Sequence, residues 1–217
     1  MIKKVVIFDF DGTLADTLPC ALSIINRLSH SFGYKKIIGK NVDILRNKRA
    51  EEILEYLGIP LTKLYFMVRK VKTELNKKIE FLKPTVPIRK VLLNLKKNGY
   101  RLGILTSNSK DNVSKFLKRN SLDFFDFIYS ESSIFGKSKV ITGLLKNQNL
   151  KSEQVVYIGD ETRDIDAAKR TKINIIAVSW GLNSKQILKE LKPDFLISKP
   201  QELMEILVCP PNAGNYS

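Results

Sequence analysis

Short apolar runs alternate with amphipathic segments along this chain. Runs rich in β-branched and aromatic residues, too short for helices, predict six strands, at 5–8, 100–105, 127–129, 155–158, 173–178 and 194–197. Segments with apolar residues at helical spacing lie between or after them, among them 17–32, 88–98 and 200–207. Strands that alternate with helices predict an α/β fold with a doubly wound, mostly parallel sheet and right-handed crossovers.

One region interrupts this alternation after the first strand. Residues 34–84 contain no convincing strand run, whereas 49–57 and 64–82 have helical periodicity and are separated by Gly58-Ile59-Pro60. We therefore expect a main domain formed by 1–16 and 85–208, with a small helical insert at 17–84. Residues 209–217 (CPPNAGNYS) have the composition of a disordered tail.

Composition excludes several classes of protein. The chain has 217 residues, of which 43% are apolar, enough for one domain with a substantial core and a small insert. Lys3 and Lys4 precede only a brief apolar run that ends in acids, which predicts neither a signal peptide nor a membrane span, so we expect a cytoplasmic protein. Cys20 and Cys209 lack metal-site spacing, and the single histidine, His30, disfavours a Ser-His-Asp triad.

The net charge of +15 is the least decisive feature of the composition. Residues 35–90 hold fifteen Lys or Arg and six Asp or Glu, which is a net charge of +9 for that segment alone. These cations could cover solvated helix faces, or they could attract a phosphorylated substrate, with or without a carboxylate. Arg46, Lys48 and Arg49 are the candidates for cations that face the substrate. The segment contains no recognisable nucleic-acid-binding motif.

Two carboxylates at the end of the first strand carry the strongest chemical signal. Asp9 and Asp11 lie two residues apart, so continued strand geometry would point both side chains the same way. Because two neighbouring acids repel unless a cation joins them, and because Mg²⁺ prefers oxygen ligands, the pair predicts a magnesium site. One carboxylate could attack phosphorus while the other transfers the proton of the leaving oxygen. A bare Asp-x-Asp-Gly turn, with both acids solvated, is the alternative for this short pattern.

The longer string around these acids is more specific. DFDGTLADT, from Asp9 to Thr17, resembles the first motif of the haloacid dehalogenase superfamily in its phosphatase form. The resemblance implies that Asp9 is the nucleophile that becomes an aspartyl phosphate, and that Asp11 is the general acid and base. It also implies that the helical insert is a cap that closes over the active site.

Three later stretches resemble the remaining motifs of that superfamily, in the same order. Thr106 at the end of the second strand matches the hydroxyl that binds the phosphoryl group, with Ser107 and Asn108 as neighbouring donors. A lysine at a helix start is disfavoured by the helix dipole, so the position of Lys137 indicates a functional role. The resemblance implies that this lysine neutralises the nucleophile and the phosphoryl oxygens; Lys139 is its competitor, because Ser138 stands where many relatives have proline. In the fourth motif, GDETRD, the resemblance implies metal binding by Asp160 and Asp164, and Asp164 at i+4 shares a helix face with Asp160.

The resemblance implies a Mg²⁺-dependent phosphatase that hydrolyses a small phosphorylated metabolite and is similar to phosphoglycolate phosphatases. The expected metal ligands are Asp9, Asp11, Asp160 and Asp164. Catalysis is expected from Asp9, Asp11, Thr106 and Lys137, of which Thr106 and Lys137 also bind substrate. Pyrophosphatase or nucleotide phosphatase activity in the same superfamily is the alternative, and a non-catalytic basic nucleic-acid-binding protein is the rival from another class. We expect no membrane or nucleic-acid partner, and a monomer or homodimer.

Overall fold

The computed structural model describes residues 5–130 and 136–208. Its sheet has six strands: β1 (Val5–Asp9), β2 (Arg101–Thr106), β3 (Phe127–Ser130), β4 (Val155–Gly159), β5 (Asn174–Val178) and β6 (Phe195–Ile197). They are ordered β3-β2-β1-β4-β5-β6, and every neighbouring pair is parallel. The order reverses at β1, so chain segments diverge to either side of it, as in a doubly wound fold. The predicted fold class is confirmed.

Ten helices accompany these strands in the described ranges. They are α1 (Leu18–Phe32), α2 (Lys40–Arg46), α3 (Ala50–Leu57), α4 (Leu61–Asn76), α5 (Ile88–Lys97), α6 (Lys110–Arg119), α7 (Lys137–Asn147), α8 (Thr162–Thr171), α9 (Lys185–Glu190) and α10 (Glu202–Leu207). Six of them cover the sheet in two layers. The cluster on one face includes residues of α5, α6 and α10, and the cluster on the other includes residues of α7, α8 and α9.

The central strand shows why its sequence is apolar throughout. Val6 and Phe8 belong to the first of these clusters, whereas Val5 and Ile7 belong to the second. Successive side chains of a strand point to opposite faces, and both faces of this sheet are covered. Each residue of β1 is therefore buried, including Asp9 at its carboxyl end.

Helices α1 to α4 form the segment between β1 and the return to the sheet. Part of this segment has a small apolar cluster of its own, formed by Tyr34, Ile37, Leu45, Leu57, Ile59 and Met67. Helix α1 ends at Phe32 and is capped by Gly33, which adopts a left-handed conformation with φ of 75°. The division into a main domain and a cap, with the bounds given above, stays a prediction.

Apart from small shifts in element bounds, the structure differs from the sequence-based elements at three places. Helices α2 and α9 were not predicted, because elements of six or seven residues have little periodicity. The helix predicted at 64–82 ends at Asn76, and Ile79–Phe81 forms a short 3₁₀ turn that places Ile79 in the main core with 1% of its surface exposed. Burial of that isoleucine outweighs continuation of the helix.

Two further predictions concern the ends and the environment of the chain. The predicted disordered tail, 209–217, lies outside the described residues. Within the described ranges, none of the helices combines the length and the apolar character that a membrane crossing requires.

Candidate active site

Three parallel strands bring the predicted site residues to one edge of the sheet. Because β1 lies between β2 and β4, Asp9 is flanked by Thr106 at the end of β2 and by Asp160 just after β4. Lys137, the first residue of α7, reaches the same place, and its Nζ lies 3.4 Å from Asp9 Oδ2. The carboxyl ends of strands at the point where strand order reverses are the usual ligand-binding edge of such sheets.

A tight turn follows Asp9 and keeps the chain close to the site. Gly12 has φ of +79°, and its N–H donates to Ala15 O at 2.9 Å. A Cβ on Gly12 would lie 2.3 Å from Asp160 Oδ2, so both its backbone conformation and its surroundings require glycine. The turn also directs the Thr13 hydroxyl to Asp160 Oδ1, at 2.8 Å.

Three buried acids form a group that could hold a cation. One carboxylate oxygen from each of Asp9, Asp160 and Asp164 lies within 4.8 Å of the others. Among the described residues, no other set of three or more His, Cys, Asp or Glu side chains is close enough together to hold a metal ion. Hard divalent cations prefer such an all-oxygen donor set. Asp11 is not a member, so its role as a metal ligand stays a prediction.

Burial shifts the pKa values of these acids upward. Burial, opposed in part by Lys137 and reinforced by Asp164, raises the pKa of Asp9 to about 7. Burial and the charge of Glu161 raise the pKa of Asp160 well above its ordinary value. Ionisation of these buried acids is therefore energetically unfavourable in the metal-free protein, and a bound divalent cation would offset that unfavourable free energy. The donor set and its electrostatics fit a metal.

Asp11 has a different environment. Burial raises its pKa to about 6, with a further increase from Glu161. Its Oδ1 is shielded from solvent and has no hydrogen-bond partner among the described residues. A carboxyl that is protonated for part of the time near neutral pH, with an uncommitted oxygen beside the site, is suited to proton transfer.

The structure distinguishes the two candidate lysines. Lys137 forms an ion pair with Asp164 Oδ1 and approaches Asp9, with 15% of its side chain exposed. Burial lowers the pKa of Lys137, but Asp164 and Asp9 outweigh that effect and raise it, so this lysine remains charged. Lys139, two residues further along α7, is exposed. The unfavourable position of Lys137 at a helix start is offset by these two carboxylates.

The residues after β2 offer donors beside Asp9. The Thr106 hydroxyl oxygen accepts from the N–H of Asn108 at 2.9 Å, so its hydrogen is available to donate elsewhere. Asn108 is buried, and its amide oxygen accepts from Ser109 N at 2.9 Å. Ser107 is half-buried, and its carbonyl accepts from Lys72 Nζ of α4 at 2.8 Å.

Several site residues were not predicted from the sequence. Thr13 holds Asp160, Lys72 reaches the site from the helical segment, and Arg163 lines the cavity beside Asp9 and Asp11. Arg163 forms an ion pair with Glu161, and the charge of Glu161 raises the pKa of Arg163. Thr13 and Arg163 lie inside the two quoted motifs, so their position was a usable signal, whereas nothing near Lys72 in the sequence marks it.

The three basic residues suggested as facing the substrate have different positions. Arg46 donates instead to backbone carbonyls of the loop between β5 and α9. Arg49 forms an ion pair with Asp166 at 3.0 Å, with both side chains substantially exposed. Lys48 and Arg49 line a cavity of about 220 Å³, which also touches Lys137 and Arg163.

The cavity at the acids is small and is shared by most of the predicted residues. Its volume is about 30 Å³, and its lining includes Asp9, Asp11, Thr106, Lys137 and Arg163. Lys137 and Arg163 belong to this cavity and to the larger one, so the two spaces adjoin. The arrangement provides a compact site for an anionic group with additional space beside it.

Both the sequence and the fold are similar to those of known proteins. A model of the haloacid dehalogenase-like hydrolase family matches residues 6–178. The phosphoglycolate phosphatase of Synechococcus elongatus is 32% identical over 203 residues, covering 93% of this chain and 96% of that protein. Pyrophosphatase PpaX of Bacillus mycoides is 27% identical over 217 residues, covering 93% and 95%. The crystal structure of a predicted phosphatase from Clostridium acetobutylicum has a TM-score of 0.81 and 21% identity, covering 97% of this chain and 100% of that one, which supports the fold.

Proposed function

The chain belongs to the haloacid dehalogenase-like hydrolase family and is a phosphatase, a phosphoric monoester hydrolase, and we propose that it hydrolyses a small phosphorylated carboxylate of the phosphoglycolate type. The observation that carries this proposal is the cavity of about 30 Å³ that Asp9, Asp11, Thr106 and Lys137 line together. A nucleophile, an acid, a hydroxyl donor and a fixed cation around one small space are the parts that phosphoryl transfer needs.

In the proposed reaction, a carboxylate oxygen of Asp9 attacks phosphorus and forms an aspartyl phosphate while the bond to the leaving oxygen breaks. Asp11 donates its proton to that oxygen. Asp11 then accepts a proton from a water molecule whose oxygen attacks phosphorus, which releases inorganic phosphate and restores Asp9. The pKa of Asp11, raised to about 6, allows it to serve in both protonation states.

Other side chains would fix and neutralise the phosphoryl group. Lys137 Nζ, 3.4 Å from Asp9 Oδ2, favours the ionised nucleophile and can contact the phosphoryl oxygens. The Thr106 hydroxyl, whose oxygen already accepts from Asn108, can donate to the same group. We propose Mg²⁺ as the metal, held by Asp9 and Asp160 with Asp164, directly or through water. When bound, it supplies positive charge that stabilises the phosphoryl oxygens in the transition state.

The carboxylate of the substrate is the finer part of the proposal. Arg163 and Lys72 add two cations at the edge of the site, beyond the lysine assigned to the phosphoryl group. The relative with 32% identity is a phosphoglycolate phosphatase. The carboxylate of such a substrate, or a second phosphate on another small substrate, would find its counter-charge there.

Pyrophosphate is the second candidate substrate. The cavity of about 220 Å³ beside the site carries Lys48, Arg49 and Arg170, which would suit a second phosphoryl group. Relatives with 26% to 27% identity are pyrophosphatases. Membership in a hydrolase family argues against the non-catalytic nucleic-acid-binding alternative. The cytoplasmic location and the monomeric or homodimeric state stay predictions.

The test is phosphate release with 2-phosphoglycolate, other small phosphomonoesters and pyrophosphate, with and without Mg²⁺. Asp9→Asn should abolish turnover. Asp123→Asn makes the same change at an exposed position outside the four motifs, and it should retain turnover. Preference for 2-phosphoglycolate supports the proposed substrate class, and preference for pyrophosphate selects the second candidate. Equal turnover by wild type and Asp9→Asn would refute the nucleophile assignment.

A further inference from the structure

The loop between β5 and α9, residues 179–184, joins the helical segment to the acid group. On one side it contacts Arg46, the last residue of α2. On the other side it contacts Asp160, which follows β4. Neither the family resemblance nor the motif positions explain why a long cationic side chain from α2 should enter this loop.

Arg46 is bound to the loop through both of its ends. Its guanidinium donates to three carbonyls, with Nε 3.2 Å from Leu182 O and Nη2 3.1 Å from both Ser179 O and Gly181 O. Its own carbonyl accepts from Ser184 N at 2.8 Å and from the side-chain amide of Asn183 at 3.1 Å. A planar guanidinium suits such a group of carbonyls, because its donors have fixed directions.

The same peptide units hold Asp160 from their opposite side. The unit that joins Gly181 to Leu182 accepts from Arg46 through its carbonyl and donates through its N–H to Asp160 Oδ2, at 2.7 Å. The next unit, from Leu182 to Asn183, accepts from Arg46 and donates to the Asp160 carbonyl oxygen at 3.2 Å. In a planar trans peptide the carbonyl and the N–H point in opposite directions, so fixing one fixes the other.

The packing around Asp160 leaves little freedom for adjustment. A Cβ on Gly181 would lie 2.2 Å from Asp160 Oδ2, so this backbone already touches the carboxylate. The other carboxylate oxygen accepts from the Thr13 hydroxyl at 2.8 Å. A rotation of the loop peptides would therefore either lose the bond to Leu182 N or move the carboxylate.

From this chain of contacts we infer that Arg46 is a positioning residue for the metal site. It fixes the two peptide units that orient Asp160, and so it determines how well this acid can join Asp9 and Asp164 around a cation. The inference rests on the proposed metal-dependent function. Partners that orient a metal ligand typically change metal affinity by about 10-fold to 100-fold when they are removed.

The test measures Mg²⁺ binding to the metal-free protein by titration calorimetry, in the absence of substrate. Arg46→Met should weaken Mg²⁺ binding by about tenfold or more, at the low end of the effects of residues around metal ligands. Arg46→Lys keeps the positive charge but loses the planar set of guanidinium N–H donors, so it should give an intermediate loss of Mg²⁺ affinity. Arg27→Met is the matched control, because it removes a guanidinium from α1 that pairs with Glu74 inside the helical segment. It should leave Mg²⁺ binding unchanged.

Steady-state kinetics and chemical rescue separate positioning from general damage. In Arg46→Met, half-saturation with Mg²⁺ should shift upward with the same factor, while kcat at saturating Mg²⁺ changes much less. Ethylguanidinium should restore part of the affinity of Arg46→Ala. Mg²⁺ affinity of Arg46→Met within twofold of the wild type would overturn the inference. Absence of both Mg²⁺ binding and turnover in the wild type would instead refute the proposed function itself.

Discussion

The cost of burying Asp9 gives the sharpest quantitative prediction for the metal-free protein. The folded protein holds the pKa of Asp9 at about 7, compared with an ordinary value of 3.8, chiefly because the carboxyl is buried. The folded state therefore binds a proton more tightly than the unfolded state. The contribution of Asp9 to the free energy of unfolding is therefore fully present below about pH 4, and it is lost as the pH rises through 7.

The magnitude follows from the difference between the two pKa values. One pKa unit corresponds to about 1.4 kcal/mol, so ionisation of Asp9 at pH 8 lowers the free energy of unfolding by roughly 4 kcal/mol. Asparagine has a similar shape but cannot ionise. In EDTA at pH 8, Asp9→Asn should therefore be more stable than the wild type by an amount of this order, although Lys137 loses a partner. The difference should fade toward pH 4.

The assay is urea unfolding in EDTA at several pH values between 4 and 8, for wild type, Asp9→Asn and Asp123→Asn. The last variant changes an exposed carboxylate, and it should follow the wild type. Adding Mg²⁺ at pH 8 should stabilise the wild type more than Asp9→Asn, because the charged carboxylate then has a cation beside it. Identical pH dependence of the unfolding free energy for wild type and Asp9→Asn in EDTA would refute the reasoning.

Three further substitutions test other contacts of the site. Lys137→Met should lower kcat by about 100-fold or more because a fixed charge beside the reacting group is lost, while the exposed Lys139→Met should stay near wild type in the same assay. Gly181→Ala places a Cβ 2.2 Å from Asp160 Oδ2, so Mg²⁺ affinity measured by calorimetry should fall by about tenfold or more. Arg163→Met should raise KM for 2-phosphoglycolate more than it lowers kcat; an unchanged KM would exclude Arg163 from substrate binding.

Much of the fold follows from local patterns in the sequence. The run from Val5 to Phe8 is apolar at every position because both faces of its strand are covered, and this distinguishes it from a surface strand. Ser109 shows that helix starts are similarly local, since its side chain accepts from Asn112 N as an N-cap. The helix at 64–82 was predicted too long because the burial of Ile79 depends on distant core residues.

The sequence predicts the positions of those candidate site residues that lie at the ends of strands. Asp9, Thr106 and Asp160 each follow an apolar run, and parallel strands place such ends along one edge. Lys137 was marked by its unfavourable position at the start of a helix. Only the structure separates the positions of the two lysines, because Lys137 lies beside Asp9 and Lys139 is exposed.

Contacts between distant segments were decided by the tertiary structure alone. Arg46 and Gly181 are 135 positions apart, and neither has a local pattern that predicts their hydrogen bond. The same holds for Lys72 and the carbonyl of Ser107. Strand and helix periodicities indicate which residues are buried. Every residue has a backbone carbonyl, so the sequence does not show which carbonyl accepts a hydrogen bond from a distant side chain. The sequence by itself therefore determined the strands, the acids at their ends and the family resemblance. Only the tertiary structure decided how the helical segment supports the acids, because a hydrogen bond to a distant backbone group depends on which segments the fold brings together.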